Sequence, residues 1–574
     1  MNAKETYRAW LDDPYFDEET KKELLAVADD EKEIEERFYT ELEFGTAGLR
    51  GIIGAGTNRM NKYTVRKATQ GLANYIKLTG NSAKGVAISY DSRHMSPEFA
   101  DEAALCLAAN GIKAYVFTSL RPTPELSYAV RHLGCTAGIN ITASHNPAEY
   151  NGYKVYWEDG AQITPPHDTG IMAEVKKISG YDSVFTMERK EAEEKGLYIP
   201  IDEEVDAAYY EAIKKCILSP EAIKEYAKDL KIVYTPLHGT GLVPVTHILA
   251  DLGFENVYVV ESQREPDGAF PTVKAPNPET EEAFIPALKL AEEVDADLIL
   301  ATDPDADRLG VRIKVGKGVY KDLNGNVSGC LIGEYELARR KELGILPEDG
   351  ELITSIVSTN MSKAIAESYG VKFVEVLTGF KYIGAEMLRM EKENAGTFLF
   401  GFEESYGCLI GTYARDKDAV AASMALCEAA AYAKSKGITL NDILEGIYAR
   451  VGFYSENVTS LTMAGIEGLN HIAAIMEKLR SEPPKSIGAY AVKRVRDYKT
   501  GIITDCAAGS SEPTGLPSAN VLYYDLEDDG WVAVRPSGTE PKIKLYFGIR
   551  SGSPEKAAEE SAEMEKNVLK LAEI

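Results

Sequence analysis

The chain has 574 residues, which by ordinary domain sizes is enough for about three to five domains, and its 44% hydrophobic and 27% charged residues are a globular balance. A formal net charge of -27 excludes nucleic acid or an anionic membrane as the main partner. An anionic substrate would have to meet basic side chains and backbone N–H groups gathered in one cleft.

The opening MNAKETYRAWLDD lacks the apolar core of a secretory signal, and the seven cysteines include no CxxC pair. Both point to a reducing, cytoplasmic setting. Residues 1–43, rich in Glu, Lys and Asp with scattered Leu and Ala, read as a surface helix or two. FGTAGLRGIIGAG (44–56) then sets Arg50 among glycines, so backbone can approach a ligand closely beside a fork-shaped donor.

One pattern follows three times. Residues 84–117 pass from GVAISY through the turn DSRHMS and the helix-like ALCLAAN to KAYVF. Residues 231–260 pass from KIVYT through PLHGTG and VTHILADLG to VYVV, and residues 351–376 from ELITSIVS through TNMSKAIAESYG to VKFVEV. Each block reads as strand, turn, helix, glycine stop and strand, a βαβ unit. Several α/β domains fit better than one doubly wound domain, because this length exceeds what a single core supports. The Ala-rich 419–433, interrupted by Glu428, reads as a buried helix and not a membrane span. Residues 452–574 carry VLYYDL, WVAVRP and IKLYFGI before a charged helix, a smaller α+β domain.

Four stretches carry chemistry. GINITASHNP (138–147) ends an apolar strand in a turn closed by Pro147, exposing Ser144 beside His145; no GxSxG accompanies it, so a serine hydrolase is not supported. ADLILATDPDADRLGV (296–311) runs an apolar strand into Asp303, Asp305 and Asp307. At alternate positions these carboxylates converge, which is unfavourable unless a cation neutralises them, and an all-oxygen set favours Mg²⁺. An EF-hand is excluded, since Arg308 stands where its glycine belongs and Lys314 where its Glu belongs. GFEESYG (401–407) places Glu403 and Ser405 at a strand end, where they suit sugar hydroxyls. VAVRPSGTEPKIKLYFG (532–548) gathers Arg535, Ser537, Gly538, Thr539 and Lys542 into a phosphate cradle.

Taken together and in this order, these stretches resemble the α-D-phosphohexomutase family of phosphoglucomutases and phosphomannomutases. TASHNP is similar to its phosphoserine loop, DPDADR to its magnesium loop, GFEESYG to its sugar loop and RPSGTEPK to its distal phosphate loop. The resemblance spans residues 44 to about 548. It implies an α/β protein of four domains around a central cleft, three similar with mixed sheets and a smaller α+β C-terminal one. The expected bounds are a helical extension 1–43, then domains 44–210, 211–325, 326–451 and 452–574.

By position, the resemblance implies that Ser144 is phosphorylated and that Mg²⁺ is bound by Asp303, Asp305, Asp307 and a phosphoserine oxygen. Arg308 would contact the transferring phosphate, with Arg50 and His145 in support, and Lys381 of TGFKYIG would be an acid/base candidate. Glu403 and Ser405 would hold the sugar, and Arg535, Ser537, Gly538 and Thr539 the idle phosphate. Interconversion of glucose 1-phosphate and glucose 6-phosphate is expected, with glucose 1,6-bisphosphate as activator and a monomer or dimer as the working form. The sugar loop leaves mannose and pentose phosphates open. A haloacid-dehalogenase-like phosphatase also uses a strand-end DxD, but Asp307 replaces its expected Thr, and TASHNP and RPSGTEPK would have no role. A sensor without catalysis would need only the binding parts, not Ser144 and three carboxylates.

Overall fold

The computed structural model describes residues 2–42, 48–463, 465–537 and 542–572. They form two compact units, one of Met1–Leu323, Gly384–Glu393 and Tyr406–Ser435, the other of Asn324–Ile383, Asn394–Ser405 and Lys436–Ile574.

The first unit begins with three helices, Ala3–Asp12, Glu18–Ala26 and Glu31–Phe38, one more than the composition of this stretch suggests. Each starts at an Asn or Asp whose side chain accepts an N–H of the first turn. Trp10, Phe16, Phe38 and Tyr63 form the apolar cluster they share with the next segment. A six-stranded sheet follows in the order Leu49–Ile52, Tyr150–Trp157, Ala137–Ile141, Val86–Tyr90, Ala114–Phe117, Tyr198–Ile201. The last four are parallel to one another and Tyr150–Trp157 runs antiparallel to both its neighbours, so the sheet is mixed. Its inner strands are buried along their whole length, as β-branched runs covered on both faces must be. The second sheet repeats the plan: Lys231–Thr235 lies between parallel Asn256–Val259 and Leu298–Thr302, and antiparallel Leu309–Gly316 and Val319–Leu323 complete it. In both sheets a strand of the parallel set ends in a loop that carries candidate chemistry.

The helix Ala419–Ser435 is buried over nearly all its length, as its Ala content suggests. It packs on the helices Pro220–Tyr226 and Leu242–Asp251, and Glu428 accepts the N–H groups of Leu218 and Ser219. Among the described residues, no helix is long and apolar enough to cross a membrane.

In the second unit, Gly350–Ser355 lies between parallel Lys372–Val376 and Thr397–Phe402. An antiparallel sheet runs in the order Phe453–Thr462, Lys542–Ser551, Trp531–Pro536, Leu522–Leu526, Tyr490–Asp497, Ile502–Asp505, Ser511–Pro513. Its Leu522, Tyr524, Val532 and Leu545 pack with Ile475 and Met564 of the helices Gly465–Ser481 and Pro554–Lys570. Tyr523 and Trp531, on the other face, meet Ile356, Val357 and Leu377. This is the smaller α+β domain read from the sequence.

Candidate active site

Three adjacent strands of the first sheet supply one side of the site. Ala137–Ile141 leads into Ser144, Tyr150–Trp157 carries Lys154, and Leu49–Ile52 carries Arg50, whose Cα pairs with Gly152. Ser144 adopts φ 53°, a left-handed conformation that non-glycine residues seldom occupy without support. The support is visible. Ser144 N–H donates to Thr142 Oγ1 at 2.8 Å. Buried Arg93 donates to the carbonyls of Ser144 at 2.6 Å, Pro147 at 2.8 Å and Tyr150 at 3.0 Å, and also to that of Asn146. Asp91 orients Arg93 at 3.4 Å and accepts from its N–H and from Ser96. Arg50 reaches the same loop, donating to Asn146 Oδ1 at 3.0 Å.

The second sheet supplies the other side. Leu298–Thr302 ends in Asp303, Asp305 and Asp307, all buried, with ligand-capable oxygens within 4.8 Å of one another. The loop is pinned by Thr240 N–H, which donates to Pro304 O at 2.8 Å; a Cβ on the neighbouring Gly239 would fall 2.4 Å from Pro304 Cα, so only glycine allows this approach. Ser144 Oγ donates to Asp303 Oδ2 at 2.8 Å and lies 3.1 Å from His145 Nδ1. The imidazole tautomer decides which of Ser144 Oγ and His145 Nδ1 donates across that contact. Lys154 donates to Asp305 Oδ2 at 2.8 Å, joined there by Thr123 Oγ1 at 2.8 Å, and Lys417 lies 3.1 Å from Asp307 Oδ2. The N–H groups of Asp307 and Arg308 both donate to Asp303 Oδ1 at 3.1 Å, and the Arg308 guanidinium bonds Glu279.

The electrostatics follow from crowding. Burial, then repulsion from Asp305 and Asp307, pushes the Asp303 carboxyl well above the usual range. Burial and Asp305 likewise raise Asp307. At Asp305 burial acts the same way, but Lys154 and the hydrogen bonds it and its neighbours make outweigh burial and lower it. His145 is held well below its ordinary value by burial and by the guanidinium groups of Arg308 and Arg50, so its imidazole is neutral. Among the described residues, Oδ1 of Asp305 and Oδ1 of Asp307 are buried without a hydrogen-bond donor. Converging, incompletely neutralised carboxylate oxygens with two orphaned lone-pair sites are what a hard divalent cation would satisfy, so the donor set fits Mg²⁺.

The structure therefore brings together Arg50, Ser144, His145, Asp303, Asp305, Asp307 and Arg308. It adds Arg93, Lys154 and Lys417, which the sequence reading passed over. DSRHMS carries only the pattern of a polar turn, and Lys154 and Lys417 lie in segments that carry no signature of their own.

The remaining expected residues belong to the second unit. Glu403 follows the strand Thr397–Phe402, is buried, and accepts the Gly379 N–H at 2.7 Å. Its neighbour Glu404 accepts from Ser355 Oγ at 2.9 Å and is pushed up to about 7 by burial and by the Glu403 charge. Ser405 is half-buried, and Lys381 is buried with Nζ 5.2 Å from the Tyr382 ring centroid. Arg535 lies at the end of the strand Trp531–Pro536, and Ser537 N–H donates to Lys542 O at 2.7 Å across the mouth of the loop. Gly538 and Thr539 lie outside the described residues.

Comparison with known proteins matches four segments to phosphoglucomutase/phosphomannomutase domains: alpha/beta/alpha domain I over 41–182, II over 207–316, III over 324–451 and the C-terminal domain over 521–567. A phosphoglucomutase of Staphylococcus epidermidis is 40% identical over 544 residues, covering 94% of this chain and 96% of that one. One from Staphylococcus aureus is 40% identical over 524 residues, covering 91% and 92%. Among solved structures, the Paramecium phosphoglucomutase pp63/parafusin in its open form aligns with a TM-score of 0.69 at 19% identity, covering 93% of this chain and 95% of that one. A Burkholderia thailandensis phosphoglucomutase/phosphomannomutase family protein aligns with a TM-score of 0.66 at 20% identity, covering 93% and 98%. At these identities the structural likeness speaks to the fold.

Proposed function

The chain belongs to the phosphoglucomutase/phosphomannomutase family, and from that premise we propose that it interconverts glucose 1-phosphate and glucose 6-phosphate through phospho-Ser144 and a glucose 1,6-bisphosphate intermediate. The observation that carries the reading is Ser144 Oγ, strained into place 2.8 Å from a buried three-carboxylate cluster. A serine so placed is a phosphate carrier, since a hydrolase would need an oxyanion hole instead of a cation site.

Asp303, Asp305, Asp307 and an oxygen of phospho-Ser144 would hold Mg²⁺, which when bound neutralises phosphoryl oxygens for in-line attack. A sugar hydroxyl attacks phosphorus as the bond to the Ser144 oxygen breaks; the hydroxyl proton passes to a base, and the serine oxygen takes one up. His145, 3.1 Å from that oxygen and neutral, is placed to hold or return a proton there. Arg50 and Arg308 orient the moving phosphoryl group. Lys381 is the acid/base candidate for the sugar hydroxyl, and Lys154 and Lys417 join it because their ammonium groups already touch the carboxylate cluster. Glu403 and Ser405 would hold ring hydroxyls, while Arg535 and Ser537, with Gly538 and Thr539, would hold the idle phosphate. The bisphosphate then turns over and returns its other phosphate to Ser144. We take the domains to follow the bounds 44–210, 211–325, 326–451 and 452–574, and the enzyme to work in the cytoplasm.

The test is a coupled assay of glucose 1-phosphate with Mg²⁺ and catalytic glucose 1,6-bisphosphate, run beside mannose 1-phosphate and ribose 1-phosphate. Fastest turnover on glucose 1-phosphate is expected. Faster turnover on either neighbour would move the substrate, and release of inorganic phosphate without isomerisation would end the reading.

A further inference from the structure

The glycine-rich turn after Arg50 is built into the N-terminal helices. Arg37, on the helix Glu31–Phe38, donates to Ala55 O at 3.0 Å, to Glu33 at 2.8 Å and to Glu23. Glu23 in turn accepts the Ala55 N–H at 3.0 Å, and Arg37 O accepts the Asn58 N–H at 2.9 Å. Thr57 is held from both sides: its Oγ1 donates to Thr40 O at 2.7 Å and its carbonyl accepts the Leu42 N–H at 2.9 Å. Gly56 has φ 137°, and a Cβ there would lie 2.8 Å from Arg37 O, so the sequence is shaped to let Arg37 close on this turn. The turn folds directly back on the Arg50 strand, with Met60 N–H donating to Ile52 O at 2.8 Å. The strand Leu49–Ile52 then delivers Arg50 to Asn146 in the Ser144 loop.

This is more than a surface ion pair, which would be worth little. The Arg37 side chain is only 13% exposed, and part of its fork is committed to a backbone carbonyl of the turn. We propose that Arg37 is a positioning residue for Arg50, so that the N-terminal helices belong to the support of the reaction centre; this rests on the reading of Ser144 as phosphate carrier. Loss of the clamp lets the turn and the strand before it shift, and a shift of about 1 Å at a group that orients a phosphoryl transfer costs on the order of 100-fold in rate.

The test uses the full chain with Arg37→Ala, Arg37→Lys, Arg50→Ala and the double variant Arg37→Ala/Arg50→Ala. Arg37→Ala is expected to lower kcat by about 10- to 100-fold with little change in KM. Arg37→Lys restores only part, because one ammonium cannot span three acceptors. In the Arg50→Ala background Arg37→Ala costs nothing further, the signature of residues acting in one chain of support. Hydrogen exchange at residues 50–52 speeds up in Arg37→Ala whatever the substrate. Glu23→Gln, which keeps an acceptor for Ala55 but loses the ion pair, gives the same pattern more weakly and serves if Arg37→Ala does not fold. Wild-type kcat in Arg37→Ala, equal losses in both backgrounds, or unchanged exchange at 50–52 would overturn the proposal. Full turnover in Ser144→Ala would instead overturn the function, and the exchange measurement separates the two.

Discussion

Ser144 keeps its left-handed conformation because Thr142 and Arg93 hold the backbone on either side, so its side chain can be removed without removing the turn. Ser144→Ala should fold, with the melting temperature near wild type, and lose kcat by on the order of 10⁴-fold or more in the coupled assay. Asp305 combines a bond to Lys154 with an orphaned oxygen facing the cluster, so Asp305→Asn removes charge where a cation needs it. A loss of about 100- to 1000-fold in kcat is expected, with a higher Mg²⁺ concentration for half-maximal rate; a metal titration reads both. Arg535, assigned to the phosphate that does not react, should act mainly through KM, rising about 10- to 100-fold in Arg535→Ala. Ser144 and the three aspartates were legible in the sequence because each group is contiguous and sits at the end of an apolar run. Arg93, Lys154 and Lys417 were not, because each is a single residue whose partner lies far along the chain: Pro147, Asp305 and Asp307.

At the scale of elements, the strand Phe453–Thr462 is tied to the helix Asn360–Tyr369 by Glu456, which accepts from the N-cap hydroxyl of Thr359. Burial raises Glu456 from 4.5 to about 7, although the Thr359 hydrogen bond works against the rise. The folded state therefore holds a proton that the unfolded chain has released, and stability falls as pH rises through the window from 4.5 to about 7. Glu456→Gln removes this dependence: calorimetry should find its melting temperature close to wild type at pH 5 and above it at pH 8. Equal pH dependence in both proteins would contradict the account. The repeated strand–turn–helix–strand blocks were readable from periodicity, since each covers about 30 residues of consecutive chain. How Ala419–Ser435 is used was not readable: its composition gives burial but not the partners, which are the helices Pro220–Tyr226 and Leu242–Asp251.

Over the whole molecule, net charge and reactive chemistry run in opposite senses. A chain of formal charge -27 gathers Arg50, Arg93, Lys154, Arg308 and Lys417 around one serine and three carboxylates. Such a concentration is what an acidic protein needs if it is to receive a phosphate, and it was foreseeable in kind from the charge balance, though not in its members. The glycines of 51–56 teach the reverse lesson: their freedom reads in sequence as room for a ligand, whereas Gly54 and Gly56 admit Glu23 and Arg37. The most direct measurement incubates the full chain with glucose 1,6-bisphosphate carrying labelled phosphate, then locates the label by peptide mass spectrometry. The account predicts one labelled peptide, phosphorylated at Ser144, whose label passes to the 6-phosphate of glucose 6-phosphate on adding unlabelled glucose 1-phosphate, with unlabelled phosphate returned to Ser144, and is absent from Ser144→Ala. Label on an aspartate of 303–307, or isomerisation at full rate with Ser144 unlabelled, would contradict it.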